Sequence, residues 1–399
     1  MQQVDVSSII SIEDVDSFID RNSGDSWTTT QFKLNPFETR FWGESVAHRR
    51  LLLLKSLYRA HPAVDKQFKE RRTLHMLQAT SQPSPVHLYA FEKLFSQINR
   101  ELGGCFGGGQ VKRFLDLGCS PGGFSTWLLK SNGYAGVQGV GVTLPDDEAR
   151  FPLQIDPMLS ATALSYRVLF GDVMKLSMEA IMEGTDPIVP LGETASGALI
   201  DAAQYDLIIG NAFPTLRGPT RWWLRVQLVL SQILIMITNV AQGGSCIVTV
   251  NTKPFLWVVD AIGLLQKMFD TITPFKGTLH ASRTVGYLIC RGFRATPEEV
   301  DYYAGRVRVV LRQLDAVADE SRAHEEKSPV EDSSDDDGEQ LPQSFLPEAL
   351  PLLTGESAAE IFDAQHRLVL DLFEPMWKAQ FDAIHRDFER LLSGEMVPR

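Results

Sequence analysis

The sequence between residues 85 and 295 alternates apolar runs of strand length with helical patterns. The strand-like runs are rich in β-branched residues, and they span 111–118, 136–144, 167–170, 205–210, 244–250 and 284–292. Helical patterns lie between them at 124–130 and 221–239. Strands that alternate with helices pair in parallel, because the crossover helix returns the chain to the same end of the sheet. We therefore expect an α/β fold in which helices cover both faces of a mostly parallel sheet.

The rest of the chain divides into segments of different composition. Residues 1–84 predict a helical or irregular N-terminal extension, and residues 296–318 predict one helix. Residues 319–345 are acidic and poor in aromatic residues, and 319–339 alone holds ten acidic and two basic residues, a net charge of −8. Such a composition buries too little apolar surface to offset the entropy of ordering, so we expect a disordered linker there.

The last segment, 346–399, predicts an amphipathic helix. Its large apolar residues recur at intervals of three or four and form one stripe: Phe373, Trp377, Phe381, Ile384, Phe388 and Leu391. That spacing places them on one side of a helix. The stripe fits packing against the rest of the chain, and it also fits binding to a protein partner.

Composition excludes several classes of protein. The 399 residues are 44% hydrophobic and 22% charged, as in globular proteins, and none of the four cysteines lies in a C-x-x-C pair. We therefore expect no disulfide scaffold, no metal site and a reducing compartment. The N-terminus lacks the features of a signal peptide, and the most apolar stretch, 226–240, is too short and polar to span a membrane. These features predict a soluble intracellular protein, cytoplasmic or nuclear.

Residues 114–125 (FLDLGCSPGGFS) join the end of a strand to the start of a helix through a Gly/Pro loop. Glycines let a ligand approach the backbone, and the helix start offers unpaired N–H groups. Ligands of open α/β sheets bind at the carboxyl ends of the strands, where this loop lies. The loop lacks the G-x-G-x-x-G spacing of dinucleotide-binding proteins and the Gly-Lys-Ser/Thr of P-loops. It predicts a site for another ligand.

This motif resembles the first motif of the FtsJ-type (RrmJ-type) methyltransferases, which use S-adenosylmethionine to methylate RNA 2′-hydroxyls. The resemblance covers about residues 85–295. It implies a Rossmann-like methyltransferase fold, S-adenosyl-L-methionine as cofactor, RNA as partner and a place in RNA methylation such as ribosomal RNA processing. The N- and C-terminal additions lie outside it.

The resemblance also implies the residues that contact the cofactor. Those near its methionine part are Asp116, Gly118, Ser120, Pro121, Gly122 and Gly123. Asp146, after the second strand, would lie near the ribose. Asp172, in the pair Gly171-Asp172, would lie near the adenine, although an aspartate there also fits a helix N-cap. Asn211, after the fourth strand, would face both cofactor and acceptor.

The family handles the acceptor's proton with a Lys-Asp-Lys-Glu set, and this chain departs from that set. Lys93, in the helix before the loop, matches the first lysine. Asn211 stands in place of the aspartate and Thr249 in place of the second lysine. Lys253 lies roughly 13 Å farther along the strand at about 3.3 Å per residue, so it could substitute only if the chain turned back. Near Val285 no glutamate is present.

Two functions therefore stay open. One is an RNA methyltransferase, with ribose 2′-O specificity expected from the resemblance. The other is a catalytically impaired relative that binds S-adenosylmethionine and serves as an RNA- or protein-binding module. The run 211–214 (NAFP) also partly matches the Asn-Pro-Pro-Tyr motif of amino-group methyltransferases.

Two basic regions are candidate RNA surfaces. The first is the stretch 48–72, which interleaves basic residues with leucines and aromatic residues and also fits the solvated face of a helix. The second combines arginines with tryptophans after the fourth strand: Arg217, Arg221, Trp222, Trp223 and Arg225. Cations beside aromatic rings can contact phosphates and stack bases. The acidic linker could compete with RNA for such surfaces.

Overall fold

The computed structural model describes residues 2–3, 6, 9–22, 27–28, 34, 36–62, 64, 66, 70, 85–133, 136–149, 151–155, 159, 166–191, 204–214, 221–325 and 352–393. For 2–3, 27–28, 36, 59–60 and 320–325 it describes the backbone alone. Residues 326–345 of the predicted acidic linker lie outside this set, and so do Lys69, Arg71, Arg72 and Arg217 of the predicted RNA surfaces.

One large sheet organises the chain. Its strands are β3 (Arg113–Leu117), β4 (Gln138–Thr143), β5 (Tyr166–Phe170), β6 (Tyr205–Gly210), β7 (Val240–Asn251), β8 (Phe269–Phe275) and β9 (Val285–Phe293). They lie in the order β5-β4-β3-β6-β7-β9-β8, and all pairs are parallel except those that β9 makes with β7 and β8. A two-residue parallel pair, β1 (Gln2–Gln3) with β2 (Trp27–Thr28), stands apart from it. The expected mostly parallel sheet is confirmed.

The helices are α1 (Ile12–Arg21), α2 (Pro36–Glu44), α3 (Val46–Ala60), α4 (Pro85–Glu101), α5 (Gly123–Asn132), α6 (Val173–Glu183), α7 (Trp222–Asn239), α8 (Leu256–Met268), α9 (Pro297–Glu325) and α10 (Ala358–Leu392). Helices α4 and α5 cover one face of the large sheet. The others that pack on the sheet cover the opposite face in a second, larger apolar core. None of the described helices combines the length and apolarity that crossing a bilayer requires.

Successive side chains along each strand point alternately into these two cores. Along β6, Leu207 and Ile209 face α4 and α5, whereas Ile208 faces the larger core. Each central strand is therefore apolar on both faces, which is typical of a parallel sheet covered by helices. This packing fixes the carboxyl ends of β3, β4, β6 and β7 along one edge of the sheet, where the loop 118–122 lies.

The structure differs from the sequence-based elements in several places. Helices α6 and α8 were not predicted, and α9 continues to Glu325, into the segment 319–345 that was expected to be a disordered linker. Strand β7 begins at Val240, before the predicted 244, and its pairing with β6 shifts register between Tyr205 and Leu207. Strand β8 was not predicted at all. It is an edge strand with mostly half-exposed residues and a proline, Pro274. Edge strands tolerate both features because one side makes no ladder hydrogen bonds.

The C-terminal stripe packs against the chain itself. Phe373, Trp377, Phe381, Ile384 and Phe388 are all buried, and α10 lies against α3, α8 and β8. The Trp377 indole stacks on His48 at 4.4 Å and donates a hydrogen bond to the Thr252 carbonyl at 2.8 Å. The stripe is therefore part of the core, and its interpretation as a surface for a protein partner is not supported.

Two arginines of the basic stretch 48–72 hold helices of the chain together. Arg49 is buried and donates to the carbonyls of Trp42 and Gly43 at 2.9 Å each. Arg50 pairs with Asp16 at 2.7 Å and lies over the Phe381 ring. Arg49 thus attaches α3 to α2, and Arg50 attaches it to α1 and α10.

Candidate functional site

The loop between β3 and α5 is held against β4 and β6. Gly118 N donates to the Val142 carbonyl at 2.8 Å, and Asn211 N donates to the Leu117 carbonyl at 2.9 Å. Gly118 has a φ of 79°, and a Cβ there would lie 2.4 Å from Ala212 Cα. Only glycine avoids both the left-handed strain and this contact. The loop after β6 therefore lies directly on the loop after β3.

The next glycines are crowded by other parts of the chain. A Cβ on Gly122 would lie 2.4 Å from a side-chain carbon of Ile155, and one on Gly123 would lie 2.5 Å from Phe91 Cβ. Gln154 N also donates to the Pro121 carbonyl at 3.0 Å. Segment 151–155 thus lies over the loop on one side and α4 on the other. These contacts fix the position of the first N–H groups of α5, which an α-helix leaves without an intrahelical acceptor.

Asp116 is the main charged group of the loop. Its side chain is buried, and Oδ2 accepts a hydrogen bond of 2.7 Å from the Ser125 hydroxyl, which itself accepts one of 3.0 Å from the Tyr166 hydroxyl. Oδ1 is buried and has no hydrogen-bond partner among the described residues. Burial raises the pKa of Asp116 from 3.8 to about 7, and the Ser125 hydrogen bond opposes part of that rise.

The other predicted cofactor residues lie at the same edge. Ser120 Oγ accepts a hydrogen bond from the Thr143 hydroxyl at 2.9 Å, which joins the loop to the end of β4. Asp146 is exposed beyond β4 and accepts from Leu153 N at 3.1 Å. Asp172 is the N-cap of α6 and accepts from Met174 N at 2.8 Å. The structure thus gives Asp172 the capping role, and one carboxylate oxygen is left over for a ligand.

Two predicted acceptor-side residues are brought together. The Thr249 hydroxyl lies 3.4 Å from Asn211 Oδ1, and Asn211 is buried. Thr249 pairs across the sheet with Tyr287 of β9. Asn211, Thr249 and Tyr287 therefore form one row across the sheet, and the residue of β9 in this row is Tyr287, not Val285. The Tyr287 hydroxyl is buried without a hydrogen-bond partner in the described chain, and burial raises its pKa well above the usual value.

The two predicted lysines lie elsewhere. Lys93 is exposed on α4, two residues after Phe91, which packs on α5. Two residues correspond to a rotation of about 200° around the helix axis, so Lys93 points nearly opposite to the face that packs on α5. Strand β7 stays paired with β9 to Asn251, and Thr252 N still donates to the Thr284 carbonyl at 2.8 Å. The chain therefore does not turn back before Lys253. The backbone thus places Lys253 beyond the end of β7, and Lys93 lies on the exposed side of α4.

Several residues of the site carried no signal in the sequence. Gln232, on α7, accepts from Ala212 N at 2.9 Å and donates to the Ala212 carbonyl at 3.3 Å, which fixes the loop after β6. His280 lies in a short 3₁₀ turn, 278–280, with its ring near those of Phe213 and Tyr287. Such contacts join positions far apart in sequence, so motif spacing does not reveal them. Ser125 is the exception, because it closes the motif 114–125.

The arrangement fits the amino-acid part of S-adenosylmethionine. A buried carboxylate oxygen without a partner suits an ammonium group, and the free N–H groups at the start of α5 suit a carboxylate. Asp146 at the end of β4 has the right chemistry for ribose hydroxyls. These residues could hold the cofactor, which supplies a methyl group on a sulfonium.

Comparisons with known proteins agree with this fit. A family model of FtsJ-like methyltransferases matches residues 90–293, about half of the chain. A search of curated proteins finds no match.

Among solved structures, a putative ribosomal RNA methyltransferase from Plasmodium falciparum is 19% identical and covers 52% of this chain and 98% of its own, with a TM-score of 0.35. The 16S rRNA N2 G1207 methyltransferase of T. thermophilus is 18% identical over 53% of this chain and 44% of its own, with a TM-score of 0.32. Human methyltransferase-like protein 13 is 13% identical over 62% of this chain and 92% of its own, with a TM-score of 0.29. These three likenesses are too distant to carry an argument about activity.

The family model spans the sheet from the helix before the loop to the end of β9, and so includes both the cofactor loop and the row of Asn211 and Thr249. The cofactor of this family is S-adenosylmethionine. The chain belongs to the FtsJ-like methyltransferase family.

Proposed function

We propose that this protein transfers a methyl group from S-adenosylmethionine to RNA, at a ribose 2′-hydroxyl. The observation that carries the RNA assignment is the charge beside the site. The sequence has no Asp or Glu from 207 to 259 or from 271 to 297. These stretches include the residues that follow β6, β7 and β8 at the carboxyl edge, and every charged residue in them is basic. A surface of this kind suits a polyanion.

The uncharged pair of Asn211 and Thr249 supports a hydroxyl group as the methyl acceptor. Asn211 Oδ1 accepts hydrogen bonds, and Thr249 both donates and accepts, so together they can orient a ribose hydroxyl. In the transfer, the acceptor oxygen bonds to the methyl carbon, the carbon–sulfur bond breaks, and the hydroxyl proton leaves to water. Without a cation at these positions, the chain's residues contribute mainly by orienting the acceptor.

An amine acceptor is less well supported by the geometry. Amino-group methyltransferases with the Asn-Pro-Pro-Tyr motif hold the amine with the asparagine side chain and a backbone carbonyl. Here the Ala212 carbonyl already accepts from Gln232, whose other contacts hold it in place. Position 212 also lacks the proline of that motif.

The second candidate function is cofactor and RNA binding without efficient transfer. It is favoured by the row itself, in which Asn211, Thr249 and Tyr287 are all neutral in the usual pH range and Lys93 points away. Both candidates use the same cofactor loop, so only turnover separates them.

Methyl transfer from labelled S-adenosylmethionine to RNA tests the proposal. The acceptors are total RNA and a DNA copy of it. The DNA copy has the same bases except that thymine replaces uracil, and it lacks the 2′-hydroxyl. We expect label in RNA only, and alkali digestion should leave it in a resistant dinucleotide because 2′-O-methylation blocks cleavage. Label in both polymers would indicate a base as acceptor. Cofactor uptake without any label would favour the second candidate.

A further inference from the structure

Phe213 is an exposed aromatic residue next to the acceptor position. It lies two residues after Asn211, on the loop that follows β6, and 38% of its surface is accessible. A phenylalanine ring in water at the carboxyl edge of the sheet costs free energy unless something covers it. Its position beside Asn211 and Thr249 makes the acceptor molecule the natural candidate.

The loop that carries Phe213 is rigidly held. The residues before it bond to β3 and to α7: Asn211 N donates to the Leu117 carbonyl at 2.9 Å, and Ala212 N donates to Gln232 Oε1 at 2.9 Å. Gln232 is itself anchored to the Leu228 carbonyl at 3.0 Å. Because these bonds fix the backbone directly before Phe213, the exposure of the ring is built into the fold.

One side of the Phe213 ring is backed by an aromatic cluster, which we define as Phe91, Phe213, His280 and Tyr287. His280 lies at the centre, with ring centroids 6.1 Å from Phe213, 6.1 Å from Phe91 and 6.3 Å from Tyr287. The cluster joins α4, the loop after β6, the 3₁₀ turn and β9. Phe213 is the exposed end of this cluster, Phe91 and Tyr287 are buried, and His280 between them is half-buried.

The charge of the surroundings indicates which aromatic or apolar molecule would cover Phe213. The stretches 207–259 and 271–297, which supply Phe213 and His280, contain no acidic residue. Arg221 and Arg225 stand at the start of α7, just beyond the same loop. An exposed ring in a stretch whose charged residues are all basic suits a nucleobase attached to a phosphate chain better than an apolar peptide.

We propose that Phe213 stacks on the base of the nucleotide that accepts the methyl group, and that this nucleotide is therefore unpaired. A base inside a duplex is stacked on its neighbours and cannot offer its face to a side chain. This inference rests on the proposed function and adds the form of the substrate, a single-stranded segment, loop or bulge. Phe213 is a substrate-positioning residue in this account.

Three substitutions test the stacking. Replacing the ring by Phe213→Ala should raise KM for RNA and weaken single-stranded RNA binding roughly tenfold or more, since base–aromatic stacking contributes about 1–3 kcal/mol per base. Phe213→Tyr keeps a ring and should behave as wild type. Phe213→Leu keeps apolar volume without a ring and should resemble Phe213→Ala. Cofactor affinity should stay unchanged in all three.

A matched control is Tyr302→Ala, which removes an aromatic ring that is 53% exposed on α9. It should change neither KM nor RNA binding. Thermal unfolding of each variant shows whether the fold is kept, and Phe213→Tyr against Phe213→Leu still tests the ring if Phe213→Ala unfolds.

The outcomes separate this inference from the proposed function. If wild type methylates RNA but Phe213→Leu matches wild type in KM and binding, stacking is wrong and the proposed function stands. Equal methylation of a fully paired duplex and of its single strand would overturn the unpaired acceptor. If no RNA is methylated, the proposed function fails, and fluorescence anisotropy with single-stranded RNA still decides whether Phe213 contributes to binding.

Discussion

At the scale of single residues, the carboxyl group of Asp116 has consequences for stability. Its pKa is about 7 in the folded chain against 3.8 for an ordinary aspartate, because burial disfavours the charged form. Between these values the folded chain holds a proton that the unfolded chain has released. Unfolding therefore releases a proton, and stability falls as pH rises through this range.

We expect this group to lower the free energy of unfolding by about 3 kcal/mol between pH 5 and pH 8, at about 1.4 kcal/mol per pH unit up to the folded pKa. Asp116→Asn should remove that decrease, because an amide does not ionise. Denaturant unfolding at both pH values measures it, with the exposed Asp301→Asn as control. Parallel pH curves for wild type and Asp116→Asn would contradict the prediction.

Gly123 offers a test of how tightly the loop is packed. An alanine Cβ there would lie 2.5 Å from Phe91 Cβ and 2.6 Å from the Leu88 carbonyl oxygen, so α4 must shift. We expect Gly123→Ala to lower stability by about 1–3 kcal/mol. Gly305→Ala, on α9 with no atom within 4 Å of the new Cβ, should instead raise it by about 0.5–1 kcal/mol. Thermal unfolding compares them, and equal shifts would show that the loop can relax.

Prediction of site residues from the sequence succeeded where all parts of a structural feature lie in one short segment. The motif 114–125 holds strand end, loop and helix start together, so its place at the edge of the sheet followed from order alone. The acceptor side is assembled from β6, β7, β9 and the 3₁₀ turn. Which residue of β9 faces Thr249 depends on strand register, and the register identifies Tyr287 where the sequence pointed to Val285.

At the scale of elements, Asp260 connects the core to the C-terminal segment. This buried carboxylate on α8 accepts from Leu353 N at 2.5 Å, Thr354 N at 3.0 Å and the Thr354 hydroxyl at 2.8 Å. Arg306 of α9 holds the same segment through the Leu352 and Leu353 carbonyls. The segment before α10 is thus held by α8, which lies within residues 90–293 of the family match, and by α9, which lies outside them.

Removal of this carboxylate should release the segment before α10. Asp260→Ala leaves two buried N–H groups without their acceptor, and we expect a loss of about 3 kcal/mol together with faster proteolysis near 352–357. Asp260→Asn keeps one acceptor oxygen and should fall between wild type and Asp260→Ala. Limited proteolysis followed by mass spectrometry locates the cut, with Asp301→Ala as control. A cleavage pattern identical to wild type would mean that Arg306 alone holds the segment.

Element prediction failed for β8 because an edge strand carries a weak pattern. It missed the start of β7 because residues 241–244 (AQGG) carry no apolar alternation, at the point where the pairing with β6 shifts register. The central strands β3 and β6 are apolar on both faces, and sequence alone located both within two or three residues. The apolar stripe of α10 was also predicted from its spacing, but periodicity does not reveal which surface packs against a stripe. The contact of Trp377 with Thr252 and His48 answers that question.

At the scale of the whole molecule, charge is divided unevenly along the chain. The net charge of 399 residues is −12, and 319–339 accounts for −8 of it, so the remainder carries only −4. The stretches 207–259 and 271–297, which include the residues that follow β6, β7 and β8 at the carboxyl edge, contain cations without acids. An acidic segment tethered to the same chain would have a high effective concentration at such a surface and would compete with RNA for it.

We therefore expect neutralisation of this segment to strengthen RNA binding. Changing the six acidic residues of 331–339 to their amides removes most of the competing charge and leaves α9 intact, since that helix ends at Glu325. The Kd for single-stranded RNA should fall several-fold at about 50 mM salt, and the difference should vanish near 500 mM, because salt screens both interactions. Amide changes at the exposed Asp363, Asp371 and Asp382 of α10 control for net charge alone. If both sets strengthen binding equally per charge removed, the effect is one of overall charge and the tethered competition is wrong; an unchanged Kd at low salt would mean that the segment does not reach the carboxyl edge.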